Sequence, residues 1–262
     1  KKSVTLDLDV ADDKAALMDL IASADVLVAN QPPRVQKKLG LDYATVSAIK
    51  PDLIFVSITG FGLAGERADL TCYDLIAEGY SGVMDLTGAA DSAPQKIGAP
   101  AADMLAGQDA AMATLAALYD RARTGAGRLI DVSLVESMTR FLACRISSYL
   151  GSGDAPTRSG GTDSVIAIYQ AFDTADHPIT LGLGSDAIWE RFWAALGRPD
   201  YAAAPDKRSN ADRRAKRAEI VADIQSLLRE KPRADWLTLF AEARVPAGPI
   251  NRIDDVAADG PL

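Results

Sequence analysis

Three strand-length segments, Ser3–Leu8, Val26–Ala29 and Leu53–Ile58, alternate with helical pattern over Asp12–Ser23 and Val35–Ile49, and this alternation narrows the fold more than any other feature. Asp42 is expected to N-cap the second part of the Val35–Ile49 pattern. Short apolar strands separated by amphipathic helices build βαβ units, and successive units give a parallel sheet. In open sheets of this kind, ligands bind beyond the carboxyl ends of the strands. Those ends are Asp9, Asn30-Gln31-Pro32-Pro33 and Thr59-Gly60-Phe61-Gly62. A binding edge is thereby expected before any chemistry is considered.

The segment Gly60–Ala102 reads as loop-rich. Met104–Arg123 follows as the clearest helix, with its alanines, Met112, Leu115 and Leu118 expected on the packing face. Arg121 and Arg123 fall in its last turn and Gly125 is its expected C-cap. Arg128–Ser133 is a further strand, and a helix is expected from Val135 to Leu150. The Gly-, Ser-, Thr- and Asp-rich stretch Gly151–Asp163 reads as a linker. Beyond it the pattern changes to a strand pair, Val165–Phe172 and Pro178–Leu183, around the turn Asp173–His177. Helices are expected at Asp186–Leu196, Ala211–Leu228 and Arg233–Ala243. The organisation is an α/β domain over residues 1–150, then a linker and a smaller α+β domain over 151–262.

At 48% hydrophobic and 24% charged residues over 262 positions, the chain is too apolar to stay disordered. Its apolar runs fall far short of the ~20 residues that span a bilayer, so no membrane association is expected. Lys1-Lys2-Ser3-Val4 opens no apolar export segment. A formal charge of −8 argues against nucleic acid as a partner. Cys72 and Cys144 form neither a metal-ligand spacing nor a disulfide framework, which fits a cytoplasmic protein. With His177 alone, no His-rich metal site or Ser-His-Asp triad is expected. Chemistry then falls to carboxylates, hydroxyls and backbone amides.

Asp103 is the leading candidate, at the start of the long helix after Gly98-Ala99-Pro100. An isolated aspartate there is ordinarily an N-cap. The alternative is a carboxylate nucleophile or base, kept ionised by the helix N-terminus at ~0.3–1 kcal/mol. Gly60-Phe61-Gly62 with Gly65 could cradle a phosphate or simply form a tight turn. Lys37 and Lys38 could meet a phosphate or form a solvated helix face.

An ordered set of strings goes beyond generic α/β pattern. It runs through Ala24-Asp25-Val26-Leu27-Val28-Ala29-Asn30, Leu39-Gly40-Leu41-Asp42 and Ser57-Ile58-Thr59-Gly60-Phe61-Gly62. It continues with Tyr73-Asp74-Leu75-Ile76, Asp103-Met104-Leu105-Ala106-Gly107, Arg123-Thr124-Gly125-Ala126-Gly127 and Asp131-Val132-Ser133-Leu134. Val245-Pro246-Ala247-Gly248-Pro249-Ile250-Asn251 completes it. In this order the strings resemble the class III CoA-transferases, the CaiB/BaiF family. The resemblance implies a Rossmann-like large domain with a small domain, in an interlocked homodimer. It implies also that an N-terminal βαβ portion and a C-terminal return to the large domain lie outside this chain. The family's catalytic aspartate falls on Asp103. Its coenzyme A contacts carry over to Leu6, Asp7, Leu8 and Asp9, to Asn30, Gln31 and Pro32, to Lys38, and to Thr71, Cys72, Tyr73 and Asp74. The glycine-rich loop that covers the aspartate in formyl-CoA:oxalate transferases has no counterpart in Gly161–Tyr169.

The implied activity moves coenzyme A from an acyl-CoA thioester to an acceptor carboxylic acid through an aspartyl-CoA intermediate, with no metal and no permanently bound cofactor. Two alternatives stand beside it. An α-methylacyl-CoA racemase would pair the aspartate with a histidine, where this chain has Tyr73 in Cys72-Tyr73-Asp74; a phenol titrating near ~10 shuttles protons poorly at neutral pH. A noncatalytic acyl-CoA-binding protein would use Asp103 only as a cap.

Overall fold

The structure, a computed structural model, describes residues 1–260. The last two positions of the expected 151–262 domain lie outside the described residues. The chain forms two compact units, one spanning Lys1–Arg158 and the other beginning at Ser159. The division falls within the Gly151–Asp163 stretch. Among the described residues no helix is long and apolar enough to cross a membrane.

The first unit runs α1 (Ala11–Ser23), β1 (Val26–Ala29), α2 (Pro33–Leu39), α3 (Tyr43–Ile49) and β2 (Ile54–Thr59). It continues with α4 (Asp74–Ser81), α5 (Val83–Leu86), α6 (Ala101–Thr124), β3 (Arg128–Ser133), α7 (Leu134–Phe141) and α8 (Ala143–Ser152). The three strands form one parallel sheet in the order β1-β2-β3. The central strand β2 is buried on both faces, as expected for a parallel sheet covered by helices. Alternate residues serve different cores: Ile54 and Val56 join the core built with α4, α6 and α7, and Phe55 joins that built with α1 and α3.

Asp42 N-caps α3, accepting from the Thr45 amide at 3.1 Å. Gly125 ends α6 in the left-handed conformation, and Arg121 in the last turn reaches the Asp25 carboxylate at 2.8 Å. The alanines and Leu118 pack α6 as expected, and Met112 and Leu115 do not. Ala102, Ala106, Ala110 and Ala117 are buried, whereas Met112 and Leu115 are 65% and 69% exposed. The methyl side chains let the helix approach the sheet closely; the longer side chains lie off that stripe.

Three other expectations are corrected. Ser3–Leu8 is not a strand. The Asp7 amide donates to Asp13 Oδ2 at 2.8 Å, and the Asp7 side chain accepts from Asp9 N at 3.0 Å, so the end of the segment turns into α1 on local acids. The loop-rich Gly60–Ala102 stretch contains α4 and α5. The helix expected over Val135–Leu150 breaks at Leu142 into α7 and α8.

The second unit contains β4 (Tyr169–Phe172), β5 (Ile179–Gly182), α9 (Asp186–Ala195), α10 (Pro199–Ala203), α11 (Asn210–Ala215), α12 (Arg217–Leu228), α13 (Arg233–Glu242), β6 (Ala247–Pro249) and α14 (Ile253–Ala258). β4 and β6 flank β5 in an antiparallel sheet. The strand is shorter than expected because Asn210 and Arg217 take the backbone groups of residues 163–167. The expected Ala211–Leu228 helix breaks at Lys216 into α11 and α12. Trp189, Phe192, Trp193, Trp236 and Phe240 fill the core of this unit.

Candidate functional site

The site is built at the carboxyl end of β2. Gly60 follows the last residue of that strand, and its carbonyl accepts from Ser133 Oγ at 3.0 Å and from Val135 N at 3.1 Å. A Cβ added to Gly60 would lie 2.1 Å from Cys72 Cβ, so only glycine lets Cys72 pack over the strand end. The chain then passes Tyr73, 76% exposed at the N-cap position of α4, and enters that helix at Asp74.

Asp74 reaches across to α6. Its Oδ1 accepts from the Ala102 amide at 2.8 Å and the Asp103 amide at 3.4 Å. Asp103 is the third residue of α6, exposed, and not the cap; the N-cap position is Pro100 and no side chain there accepts a hydrogen bond. The capping role that an aspartate at this point ordinarily plays has passed to an acid 29 residues away. The neighbouring amides are also engaged, Ala101 N with Ala99 O at 2.8 Å and Met104 N with Pro100 O at 3.0 Å.

This arrangement alters the electrostatics expected from a helix start. Burial, and after it the adjacent Asp74 carboxylate, hold Asp103 above the ordinary carboxylate value. The helix terminus is already occupied by Asp74, so it does not depress Asp103 as the sequence alone implied. Burial likewise pushes the Cys72 thiol up. The Ala77 amide counters that rise, and the Asp103 and Asp74 charges add to it. Gly60, Cys72, Asp74 and Asp103 thus form one cluster.

The other expected positions distribute unevenly. Pro32 N-caps α2, and Gln31 O accepts from Gln36 Nε2 at 2.8 Å, which also donates to Ser57 Oγ at 2.8 Å. Arg34 N donates to Asp69 Oδ1 at 3.3 Å, so the turn after Asn30-Gln31-Pro32 abuts the segment leading to Thr71. Asn30, Thr71 and Lys38 are exposed, Lys38 in the last turn of α2 beside Lys37. Leu6 is half-buried, and Leu8 packs into the α1–α3 core, on the sheet face opposite α6. Asp7 and Asp9 are taken up in the turn that starts α1. The structure does not gather these four into the Asp103 cluster. Gly60–Gly65 is a tight turn rather than a phosphate cradle: Gly62 N donates to Thr59 Oγ1 at 2.9 Å and Leu63 N to Asp131 Oδ2 at 2.9 Å.

Sequence reasoning missed Glu78 and the contact of Phe61 with Tyr80, whose rings meet edge-on at 4.9 Å. Glu78 is fully buried, and its Oε2 accepts from Ile97 N at 3.0 Å. The i, i+4 spacing of Asp74 and Glu78 was a usable signal, hidden by reading the stretch as loop.

The sequence profile of CoA-transferase family III matches residues 1–262. The chain belongs to that family. It is 33% identical over 258 residues to the acetyl-CoA:oxalate CoA-transferase of Acetobacter aceti, with 98% of this chain and 66% of that protein covered. It is 36% identical over 261 residues to the succinate–glutarate CoA-transferase of Agrobacterium fabrum, covering 99% of this chain and 65% of that one. A crystal structure of a CaiB/BaiF family protein from Brucella suis superposes with a TM-score of 0.87 at 38% identity, over 100% of this chain and 69% of that one. The chain therefore spans just under two-thirds of the length of these curated family members.

Proposed function

We propose that this family III chain transfers coenzyme A from an acyl-CoA to a carboxylic acid, with Asp103 as the covalent carrier. The observation that supports this reading best is that Asp103 sits exposed in the first turn of α6, released from capping by Asp74. A carboxylate committed to a helix cap would not be free to attack.

The sequence of bonds follows from that carboxylate. An Asp103 oxygen attacks the thioester carbonyl; the C–S bond breaks, giving a mixed anhydride and coenzyme A thiolate. The thiolate attacks the aspartyl carbonyl, forming an aspartyl-CoA thioester and releasing the donor acid. The acceptor carboxylate repeats the two steps in reverse and leaves as the new thioester, with Asp103 regenerated. Each tetrahedral step develops an oxyanion that needs donors. The α6 amides of residues 101–104 are already bonded, so those donors come from elsewhere in the site. The raised proton affinity of Asp103 suits the step: a less stabilised carboxylate is the better nucleophile.

The acceptor class we propose is a dicarboxylic acid, because the relatives are named for oxalate and for succinate and glutarate. Coenzyme A contacts are proposed at Asn30, Gln31, Pro32, Lys38 and Thr71–Tyr73, and at Leu6–Asp9, while the Asp74 carboxylate is committed to the start of α6. The reading includes no resident cofactor, a cytoplasmic location and an interlocked homodimer. The exposed apolar side chains of Met104, Met112, Leu115 and Tyr119 along α6 support a covered face.

The test is incubation with acetyl-CoA, succinyl-CoA or a branched 2-methylacyl-CoA and a panel of dicarboxylic acids in deuterated water. A new acceptor thioester without deuterium at Cα is expected. Deuterium uptake without transfer would assign a racemase, and neither would leave a binding protein.

A further inference from the structure

Asp103 reaches the site at the end of an irregular stretch, residues 87–100, that has no helix or strand to hold it. Two acids of the neighbouring helix α4 grip that stretch and the helix start beyond it. Glu78 Oε2 accepts from Ile97 N at 3.0 Å. Asp74 Oδ1, one turn earlier on the same face of α4, accepts from Ala102 N at 2.8 Å and Asp103 N at 3.4 Å. The two grips bracket residues 97–103.

Glu78 is fully buried, and its Oε1 has no hydrogen-bond partner. Burying an acid is costly, and leaving one oxygen unpartnered adds to the cost. An apolar side chain would fill the same volume more cheaply but could not accept from Ile97. Carboxylate acceptors also hold an amide more tightly than neutral ones do.

We propose that Asp74 and Glu78 are positioning residues that clamp the entry to α6 from both sides and fix the orientation of Asp103. This rests on the reading of Asp103 as the carrier of coenzyme A. Misplacing a reacting group by about 1 Å costs up to about a hundredfold in rate, so a clamp at this point acts on kcat. Asp74 has a second effect. Among the described residues, the titratable groups that interact with Asp103 are Asp74 on α4 and Cys72 just before it. The Asp74 charge disfavours ionisation of Asp103, and removing that charge favours it.

The experiment uses the full chain with Asp74→Ala, Asp74→Asn, Glu78→Ala and Glu78→Gln. Transfer kinetics over pH are measured together with amide hydrogen exchange at Ile97, Ala102 and Asp103. Both alanine variants should lose about tenfold to a hundredfold in kcat, with KM for the acyl-CoA little changed. Asp74→Asn and Glu78→Gln keep an acceptor oxygen and should lose less than their alanine counterparts. Asp74→Asn should also move the acid limb of the kcat/KM profile to lower pH, since Asp103 then ionises sooner. Exchange should quicken at Ala102 and Asp103 in Asp74→Ala, and at Ile97 in Glu78→Ala. A raised KM with kcat retained would overturn the proposal in favour of substrate contact by Asp74. Unchanged amide protection in the alanine variants would overturn it outright. The exchange readout needs no turnover: a wild type that makes no aspartyl adduct defeats the catalytic reading, while unchanged protection defeats the clamp.

Discussion

The amide of Asp103 points at the carboxylate of Asp74, 3.4 Å away, so the helix that carries Asp103 spends its N-terminus on a different acid. The same oxygen takes the Ala102 amide at 2.8 Å. A cap from outside the helix leaves the side chain in its first turn free for other chemistry.

Stability should separate the two acids. Asp103→Ala removes no capping bond and should stay within ~0.5 kcal/mol of wild type. Asp74→Ala removes the cap and should cost ~0.5–2 kcal/mol. Urea denaturation of both variants checks this; a larger loss for Asp103→Ala than for Asp74→Ala would reverse the assignment of the cap.

Gly60→Ala should be poorly tolerated. The new methyl would sit 2.1 Å from Cys72 Cβ, forcing the Cys72–Asp74 segment outward. Overpacking of this kind costs ~1–3 kcal/mol. Transfer should fall with it, because the segment that holds the start of α6 moves. Wild-type melting and wild-type transfer in this variant would show that Cys72 does not pack as described.

Cys72 reports on its neighbours. Its thiol is pushed up by burial first, with Asp103 and Asp74 adding to the rise. At neutral pH it should be alkylated by iodoacetamide more slowly than the exposed Cys144. Removing the neighbouring negative charge in Asp103→Ala should speed the Cys72 reaction and leave Cys144 unaffected. Equal Cys72 rates with and without Asp103 would contradict their proximity.

Much of this was legible beforehand. Val26–Ala29, Leu53–Ile58 and Arg128–Ser133 carry apolar strand pattern, and all three pair in the sheet because each has a neighbour to pair with. Ser3–Leu8 has similar pattern but pairs with no strand among the described residues, and the Asp7 amide goes to Asp13 instead. Asp103 was visible by its place at a helix start, but its freedom from capping was not, because Asp74 lies 29 residues earlier and meets it only after folding. Glu78 was hidden for the same reason: a buried acid is read from sequence as a surface one. On α6 the alanines and Leu118 are legible as the packing face, but Met112 and Leu115 also look like core residues, and only the close approach to the sheet sets them apart.

Lys38, exposed at the end of α2, is proposed to meet a phosphate of coenzyme A. Lys38→Glu should weaken coenzyme A binding by the equivalent of ~1.5–3 kcal/mol at low salt and flatten its salt dependence. Titration calorimetry at two ionic strengths measures both. An unchanged dissociation constant would make Lys38 a solvated surface charge.

By the family resemblance Tyr73 falls where an α-methylacyl-CoA racemase would carry its histidine, and its side chain is 76% exposed. Tyr73→Phe should lower transfer by no more than one hydrogen bond, ~0.5–1.5 kcal/mol. Tyr73→His should introduce slow α-proton exchange, since an imidazole titrating near ~6.5 accepts such a proton. Deuterium uptake into a branched acyl-CoA by the wild type, lost in Tyr73→Phe, would point to an isomerase instead.

Whether Asp103 carries coenzyme A is read directly by intact-protein mass spectrometry. Wild type mixed with an acyl-CoA and no acceptor should gain the mass of coenzyme A less one water, on the peptide containing Asp103. Adding a dicarboxylic acid acceptor should discharge it, and Asp103→Ala should never acquire it. Transfer by a wild type that shows no such adduct, or an adduct that persists in Asp103→Ala, would mean that Asp103 is not the carrier.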